Sequence, residues 1–378
     1  MTLTIVVIVV ITALVFDFTN GFHDSANAMA TSVATGAFTP KRAVLVAAIL
    51  NVVGAFMANA VAKTISGGIV DDKLVTPTMV FAGLAGAILW NLATWLLGLP
   101  SSSSHALFGG LIGAVVVGAG VQGIHASVIA SKILLPALVA PVVAGLAAGL
   151  ATRLAYRITD HTLHHSELLF KNGQRVSASM VALAHGTADG QKTMGIITLV
   201  LVAGGYQAAE EGGTHPLWWV ILLAGVAIGL GTYSGGWRIM RTMGKGVVEI
   251  ESPQGFAAET ASTVAILASS HLGFGLSTTH VATGSILGSG VGRRTPVQWR
   301  VANRMFVAWM LTLPAAALVG GLAALVTEWH TAGLFIVLGL MIVASYAIFR
   351  IARNTRVDAS NVNDATDVRV VIREGASA

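Results

Sequence analysis

Two hydroxyl-rich octapeptides carry the chemistry of this chain. Gly-Leu-Pro-Ser-Ser-Ser-Ser-His spans Gly98 to His105, and Gly-Phe-Gly-Leu-Ser-Thr-Thr-His spans Gly273 to His280. Small residues follow each His at the same spacing, Gly109 and Gly113 in one copy, Gly284 and Gly288 in the other. Helix-starting sequence follows both runs. Such hydroxyls can cap a helix and satisfy its orphan N–H groups. The same N–H groups and hydroxyls also suit an oxyanion, because a helix N-terminus carries partial positive charge and presents donors. Duplication favours the second reading. Ser102, Ser103 and Ser104, with Ser277, Thr278 and Thr279, are therefore the candidate contacts for phosphate or a similar tetrahedral anion.

Each copy is preceded by a polar cluster inside apolar sequence: Asn20-Gly-Phe-His-Asp-Ser-Ala-Asn27, and His185-Gly-Thr-Ala-Asp-Gly-Gln-Lys192. A carboxylate within a membrane costs on the order of 3 kcal/mol or more and marks a functional site by default. Asp24 and Asp189 are thus candidates for a coupling ion or proton, with His23 and Asn27 beside the first. Glu259 is a third acid, able either to carry a proton or to pair structurally with Lys192. Lys192 is itself a candidate anion contact. His105 and His280, which end the runs, suit a hydrogen-bonding role as well as proton handling. His161, His164 and His165 read as an amphipathic surface segment rather than a metal site. No phosphate-loop or dinucleotide fingerprint occurs, and no catalytic residue or resident metal is expected.

The elements that position these groups follow from composition. The chain has 378 residues, 54% hydrophobic and only 10% charged, with mean hydropathy +0.77. Soluble domains carry about 25% charged residues, so this is an all-α polytopic membrane protein. Its net charge of +5 resides in short loops, an orientation signal rather than a nucleic-acid footprint. Cysteine is absent, so compartment cannot be read from it. The apolar start lacks a basic flank and a cleavage site, and reads as a first span rather than a signal peptide.

Apolar stretches near 3–30, 43–62, 78–98, 128–151, 178–203, 217–236, 305–327 and 333–350 suit spans, since about 20 residues cross a bilayer. Stretches 105–120, 256–272 and 280–290 are short for that. Basic residues at 41–42, 153–175, 238–245, 293–304 and 350–356 mark cytoplasmic loops, placing the N-terminus outside and the C-terminus inside. Each half then makes three spans and one excursion, an odd number of crossings. Two inverted-topology repeats follow. Charge parity leaves each excursion open between two full spans and a re-entrant helical hairpin; the short arms favour the hairpin. The expected divisions are a first repeat at 1–151, a cytoplasmic connector at 152–176, a second repeat plus final span at 177–353, and a flexible tail at 354–378 with a short strand at 368–372.

The two polar clusters and both hydroxyl runs, together with Gly231-Thr-Tyr-Ser-Gly-Gly-Trp237, resemble the inorganic phosphate transporter (PiT) family over about residues 14–327, most closely its low-affinity bacterial subgroup. The resemblance implies phosphate uptake driven by a cation gradient across the bacterial cytoplasmic membrane, and a homodimer. It assigns Asp24 and Asp189 to the motif aspartates, Ser102 to Ser104 and Ser277 to Thr279 to the phosphate contacts, and Glu259 to an intramembrane acid of sodium-coupled members. It also raises transport as a neutral complex of phosphate with a divalent metal. Departures bear on the ion. His23, Ala188 and Lys192 stand where sodium-coupled members carry side-chain oxygens, and Asn51 where they often carry Glu. These changes point to a co-transported proton, with sodium as the alternative. Competing readings are a sulfate or arsenate carrier, a channel, and an intramembrane hydrolase built on a Ser–His pair.

Overall fold

The structure, a computed structural model, describes residues 3–159, 163–330 and 332–364. The expected strand at 368–372 and the side chains of His161, His164 and His165 lie outside the described residues and side chains. An apolar run that continues through the polar cluster at 20–27 without a proline forms α1 (Leu3–Ala34). Pro40 occupies the first turn of α2 (Pro40–Ala55), where its missing N–H costs nothing. The chain bends by 66° into α3 (Ala60–Gly67). Pro77 and the Thr76 cap open α4 (Pro77–Leu96), and the first hydroxyl run opens α5 (Ser103–Ala119). A short α6 (Ala126–Ile129) runs through a π turn into α7 (Leu135–Thr159).

The order then recurs. A long helix α8 (Leu163–Ala203) leads to α9 (Trp218–Ser234), which bends by 61° into α10 (Trp237–Arg241) and its π turn. A hairpin follows, α11 (Ser252–His271) and α12 (Thr278–Arg293), then the long α13 (Trp299–Trp329) and a final α14 (Gly333–Ala352). The connector expected at 152–176 is largely helical, since α7 continues to Thr159 and α8 begins at Leu163.

Five described helices are long and apolar enough to cross lipid, or up to seven with each bent pair counted as one span. Their outer faces suit lipid: Leu138, Val142, Leu146 and Leu150 on α7, and Leu340 and Val343 on α14, are exposed. The chain is a multi-pass membrane protein built of helices.

The two hairpins have the same local design. Gly98 (φ 64°) and Gly273 (φ 69°) end α4 and α11, in a left-handed conformation that side chains resist. Ser102 (φ −89°, ψ 105°) and Ser277 (φ −85°, ψ 110°) then start α5 and α12, each accepting the backbone N–H three residues on. Each hairpin turns back inside the protein, for Ser101 to His105 and Ser277 to His280 are all buried.

The glycines after each tip permit an exchange between halves. The arm α5 packs on α13 of the second half, and α12 packs on α7 of the first. A Cβ on Gly109 would lie 2.3 Å from the Leu313 carbonyl oxygen, and one on Gly284 would lie 2.3 Å from that of Pro141. Only glycine allows these helices to approach so closely.

Helices α1 and α8 run antiparallel. Asn20 meets Asp189, and further along α1 Thr35 meets Gln174, so rising numbers on one helix meet falling numbers on the other. The leading helices of the two halves are oppositely directed, as inverted repeats require.

Candidate functional site

The unit from which the site is built is the polar turn in the middle of α1 and of α8. On α1, Asn20, His23, Asp24, Asn27 and Thr31 are all buried. Spacings of three and four place Asn20, Asp24, Asn27 and Thr31 along one face. On α8 the same holds for His185, Asp189 and Lys192, again buried. Antiparallel packing sets these two polar turns against each other.

The tips join them there. Ser103 Oγ donates to Asp24 at 2.6 Å, and Thr279 Oγ1, from the other tip, donates to the same carboxylate at 3.4 Å. Thr278 Oγ1 donates to Asp189 at 3.3 Å. Lys192 Nζ bridges Asp189 and Ser104 Oγ. Asn27 Nδ2 donates to Thr279 at 2.9 Å and to Thr278 at 3.3 Å, and Ser104 Oγ donates to the Leu276 carbonyl at 3.3 Å. Each motif aspartate thus receives a hydroxyl from its own half's tip. Each is also linked to the opposite tip, Asp24 directly and Asp189 through Lys192. The N-termini of α5 and α12 converge on this cluster, each with a partial charge of about +0.5.

Asp24 and Asp189 have further partners. His23 Nδ1 lies 2.7 Å from Asp24, and its Nε2 lies 3.2 Å from Thr94 Oγ1. His185 Nε2 lies 3.2 Å from Asp189, and Asn20 donates to Asp189 at 3.5 Å. One ligand atom each from Asp24, His185 and Asp189 lies within 4.8 Å of the others, close enough to share a cation. Two carboxylates and one ammonium leave the centre with a formal surplus of one negative charge.

Of the expected residues, Ser103, Ser104, Thr278, Thr279, Lys192, Asp24, Asp189, Asn27 and His23 meet at this one place. Ser102 and Ser277 sit at the same tips, but their hydroxyls accept from the His105 and His280 backbone N–H groups at 3.1 and 3.2 Å and cap the helices. Glu259 does not pair with Lys192. It accepts from Thr31 at 2.6 Å, from Gln174 at 3.1 Å and from Ser177, while Lys192 is held by Asp189. Glu259 sits on α11, facing the ends of α1 and α8 away from Asp189, so neutral donors rather than the ammonium surround it. Among the described contacts neither Ser102 nor Ser104 meets the ring of His105 or His280, while Ser101 Oγ lies 3.4 Å from His23 Nε2. Ser103 and Ser104 donate elsewhere, and the His105 ring packs on that of His280 at 4.9 Å. His280 in turn lies 4.2 Å from the Trp309 ring, whose Nε1 donates to Pro100 O at 2.9 Å and ties α13 to the first tip.

The chain matches the phosphate transporter family over residues 20–320. The chain belongs to that family. Among its relatives, a probable low-affinity inorganic phosphate transporter of Mycobacterium tuberculosis is 51% identical over 367 residues, covering 96% of this chain and 87% of the relative. Proteins given the same description are 41% identical in Rhizobium meliloti, covering 82% of this chain and 92% of the relative, and 38% identical in Bacillus subtilis, covering 85% and 96%. A solved sodium-dependent phosphate transporter superposes with a TM-score of 0.76 at 25% identity, covering 86% of this chain and all of that one. This member of the phosphate transporter family is accordingly a transporter and not an enzyme. The turns linking Asp24 and Asp189 to both tips fall inside the matched span.

Sequence reasoning passed over Asp17, which lies outside the hydroxyl cluster, and the neutral donors around Glu259. Asp17 lies seven residues before Asp24, a spacing that repeats one helix face. Gln174 and Ser177 complete the Glu259 shell from α8. Of these only Asp17 had a signal in the sequence, its spacing from Asp24.

Proposed function

We propose that this protein imports inorganic phosphate at low affinity by proton symport through alternating access. The observation that carries this reading is the joining of both hydroxyl tips to Asp24 and to the Asp189–Lys192 pair, between antiparallel α1 and α8. Phosphate would sit between Ser103 and Ser104 on one side and Thr278 and Thr279 on the other. It would exchange for the carboxylates as partner of those hydroxyls, with Lys192 and two helix N-termini supplying positive potential. Oppositely directed halves could then trade conformations and open the site inward. In this reading the N-terminus is outside, the C-terminus is cytoplasmic, and the protein works as a homodimer in the bacterial cytoplasmic membrane.

Proton rather than sodium coupling is supported by two contacts. The Lys192 ammonium already occupies Asp189, where a metal cation would otherwise be drawn. Asn51 donates to Thr232 at 2.7 Å and lies 3.2 Å from His185, so a neutral amide fills a place where sodium-coupled members often carry a carboxylate. The sodium reading is favoured by the superposed sodium-dependent transporter and by the closeness of Asp24, His185 and Asp189. Uptake of radiolabelled phosphate into proteoliposomes, with proton, sodium and divalent-metal gradients imposed one at a time, separates these. A proton gradient alone should drive accumulation. Dependence on sodium with indifference to pH would overturn proton coupling. Strict dependence on a divalent ion would identify a metal–phosphate complex as the cargo. Competition by sulfate or arsenate would define anion selectivity.

A further inference from the structure

Asp17 is fully buried in α1, and neither of its carboxylate oxygens has a hydrogen-bond partner. Thr193 and Asn20 lie alongside, and Asp189 and Lys192 are close enough to act on it electrostatically. The hydrogen-bond inventory is lopsided. Asn20 uses its Nδ2 on Asp189, and its Oδ1 has no donor. Thr193 Oγ1 is also unpartnered. An ionised Asp17 can only accept and leaves Asn20 Oδ1 unsatisfied. A protonated Asp17 gains one O–H, which Asn20 Oδ1 can take, whereas the Thr193 hydroxyl can turn toward Asp17 in either state. Leaving such groups unpaired at this depth costs the full desolvation of each.

We propose that Asp17 is the site that carries the coupled proton, and that it is linked to the phosphate site through Asn20 and Asp189. This rests on the proton-symport reading above. Asp17 lies about 10 Å along α1 from Asp24, seven residues at 1.5 Å each. It therefore stands outside the hydroxyl cluster yet shares the Asp189–Lys192 pair with it. Phosphate that draws Lys192 toward itself leaves Asp17 and Asp189 facing each other without a cation. A proton taken from water on the entry side and held on Asp17 removes that repulsion. The same proton leaves to exit-side water once the inward-open arrangement wets Asp17 and hydrates its carboxylate.

The other titratable and charged groups around α1 have partners of their own: His23 and Ser103 on Asp24, and His185 between Asn51 and Asp189. Helices α4 and α9 carry no charged side chain. Glu259 of α11 is engaged at Thr31, and His105 of α5 and His280 of α12 face each other. Arg238 of α10 bonds backbone carbonyls near the C-terminal end of α14, and Arg241 bonds Asn361 O. Lys245 lies on the π turn after α10, and Lys41 and Arg42 of α2 are exposed.

The test compares wild type, Asp17→Asn and Asp17→Glu in proteoliposomes. It reads phosphate–phosphate exchange without gradients, accumulation driven by an imposed pH gradient, and phosphate-dependent acidification of a trapped dye. Asp17→Asn should keep exchange but lose both pH-driven accumulation and dye acidification, and Asp17→Glu should restore them. Retention of the pH-driven signals by Asp17→Asn overturns the assignment. So does loss of exchange in Asp17→Asn without rescue by Asp17→Glu, which would mark a structural role, and so does a sodium response that depends on Asp17. A wild type that ignores the pH gradient instead overturns proton symport itself.

Discussion

Replacing Lys192 by Met isolates the ion pair at the centre of the site. Met keeps most of the side-chain volume, so packing changes little. What is lost is the ammonium that joins Asp189 to Ser104. Asp189 retains Thr278, Asn20 and His185, but its charge becomes uncompensated in a fully buried place. Breaking a buried pair in this way costs about 3–5 kcal/mol of stability. Phosphate also loses one charge-assisted contact, worth about 1.5–3 kcal/mol, or roughly 10–150-fold in Kd. The double variant K192M/D189N separates the two effects. Neutralising Asp189 removes the orphaned charge, so stability should return toward wild type while phosphate affinity stays weak. Thermal unfolding in detergent reads the first and equilibrium phosphate binding reads the second. The reasoning fails if K192M binds phosphate as tightly as wild type, or if the double variant is no more stable than K192M.

Two further outcomes follow from the tips. The double variant S103A/T278A removes one hydroxyl from each tip but keeps both caps at Ser102 and Ser277, so folding should persist while phosphate binding weakens about 10-fold or more, at roughly 1 kcal/mol per hydrogen bond; unchanged uptake kinetics in a correctly inserted protein would refute the tip site. Gly288→Leu forces a Cβ to within 1.9 Å of the Gly145 carbonyl oxygen and should prevent α12 from seating on α7, read as loss of folded protein by size-exclusion in detergent; normal yield and uptake would show that this approach is dispensable.

The duplicated tips, the matched aspartates and the membrane class were legible because they depend on local pattern. A hydroxyl run after a helix-ending glycine makes a capped helix start whatever surrounds it, and Gly98–Ser102 and Gly273–Ser277 do so with nearly the same dihedral angles. Low charge and long apolar runs likewise define spans without tertiary information. The partners of each charged group were not legible. Sequence allowed Lys192 to pair with Glu259; the i,i+3 spacing on α8 instead sets Asp189 beside it, and packing of α11 against α1 and α8 gives Glu259 to Thr31, Gln174 and Ser177. The division of labour within a tip was also hidden, since Ser102 and Ser103 are alike in type and differ only in where the helix axis points them.

The sequence by itself determined that two similar segments would each place a hydroxyl-capped helix start within apolar sequence, because helix ends, caps and hydropathy act within a few residues. Only the tertiary structure decided that both tips reach the same pair of aspartates, that α5 and α12 each pack on a long helix of the other half, and that Asp17 is buried without a hydrogen bond. Those outcomes depend on contacts between residues 79 to 255 positions apart, whose register is set by helix packing and not by local propensity.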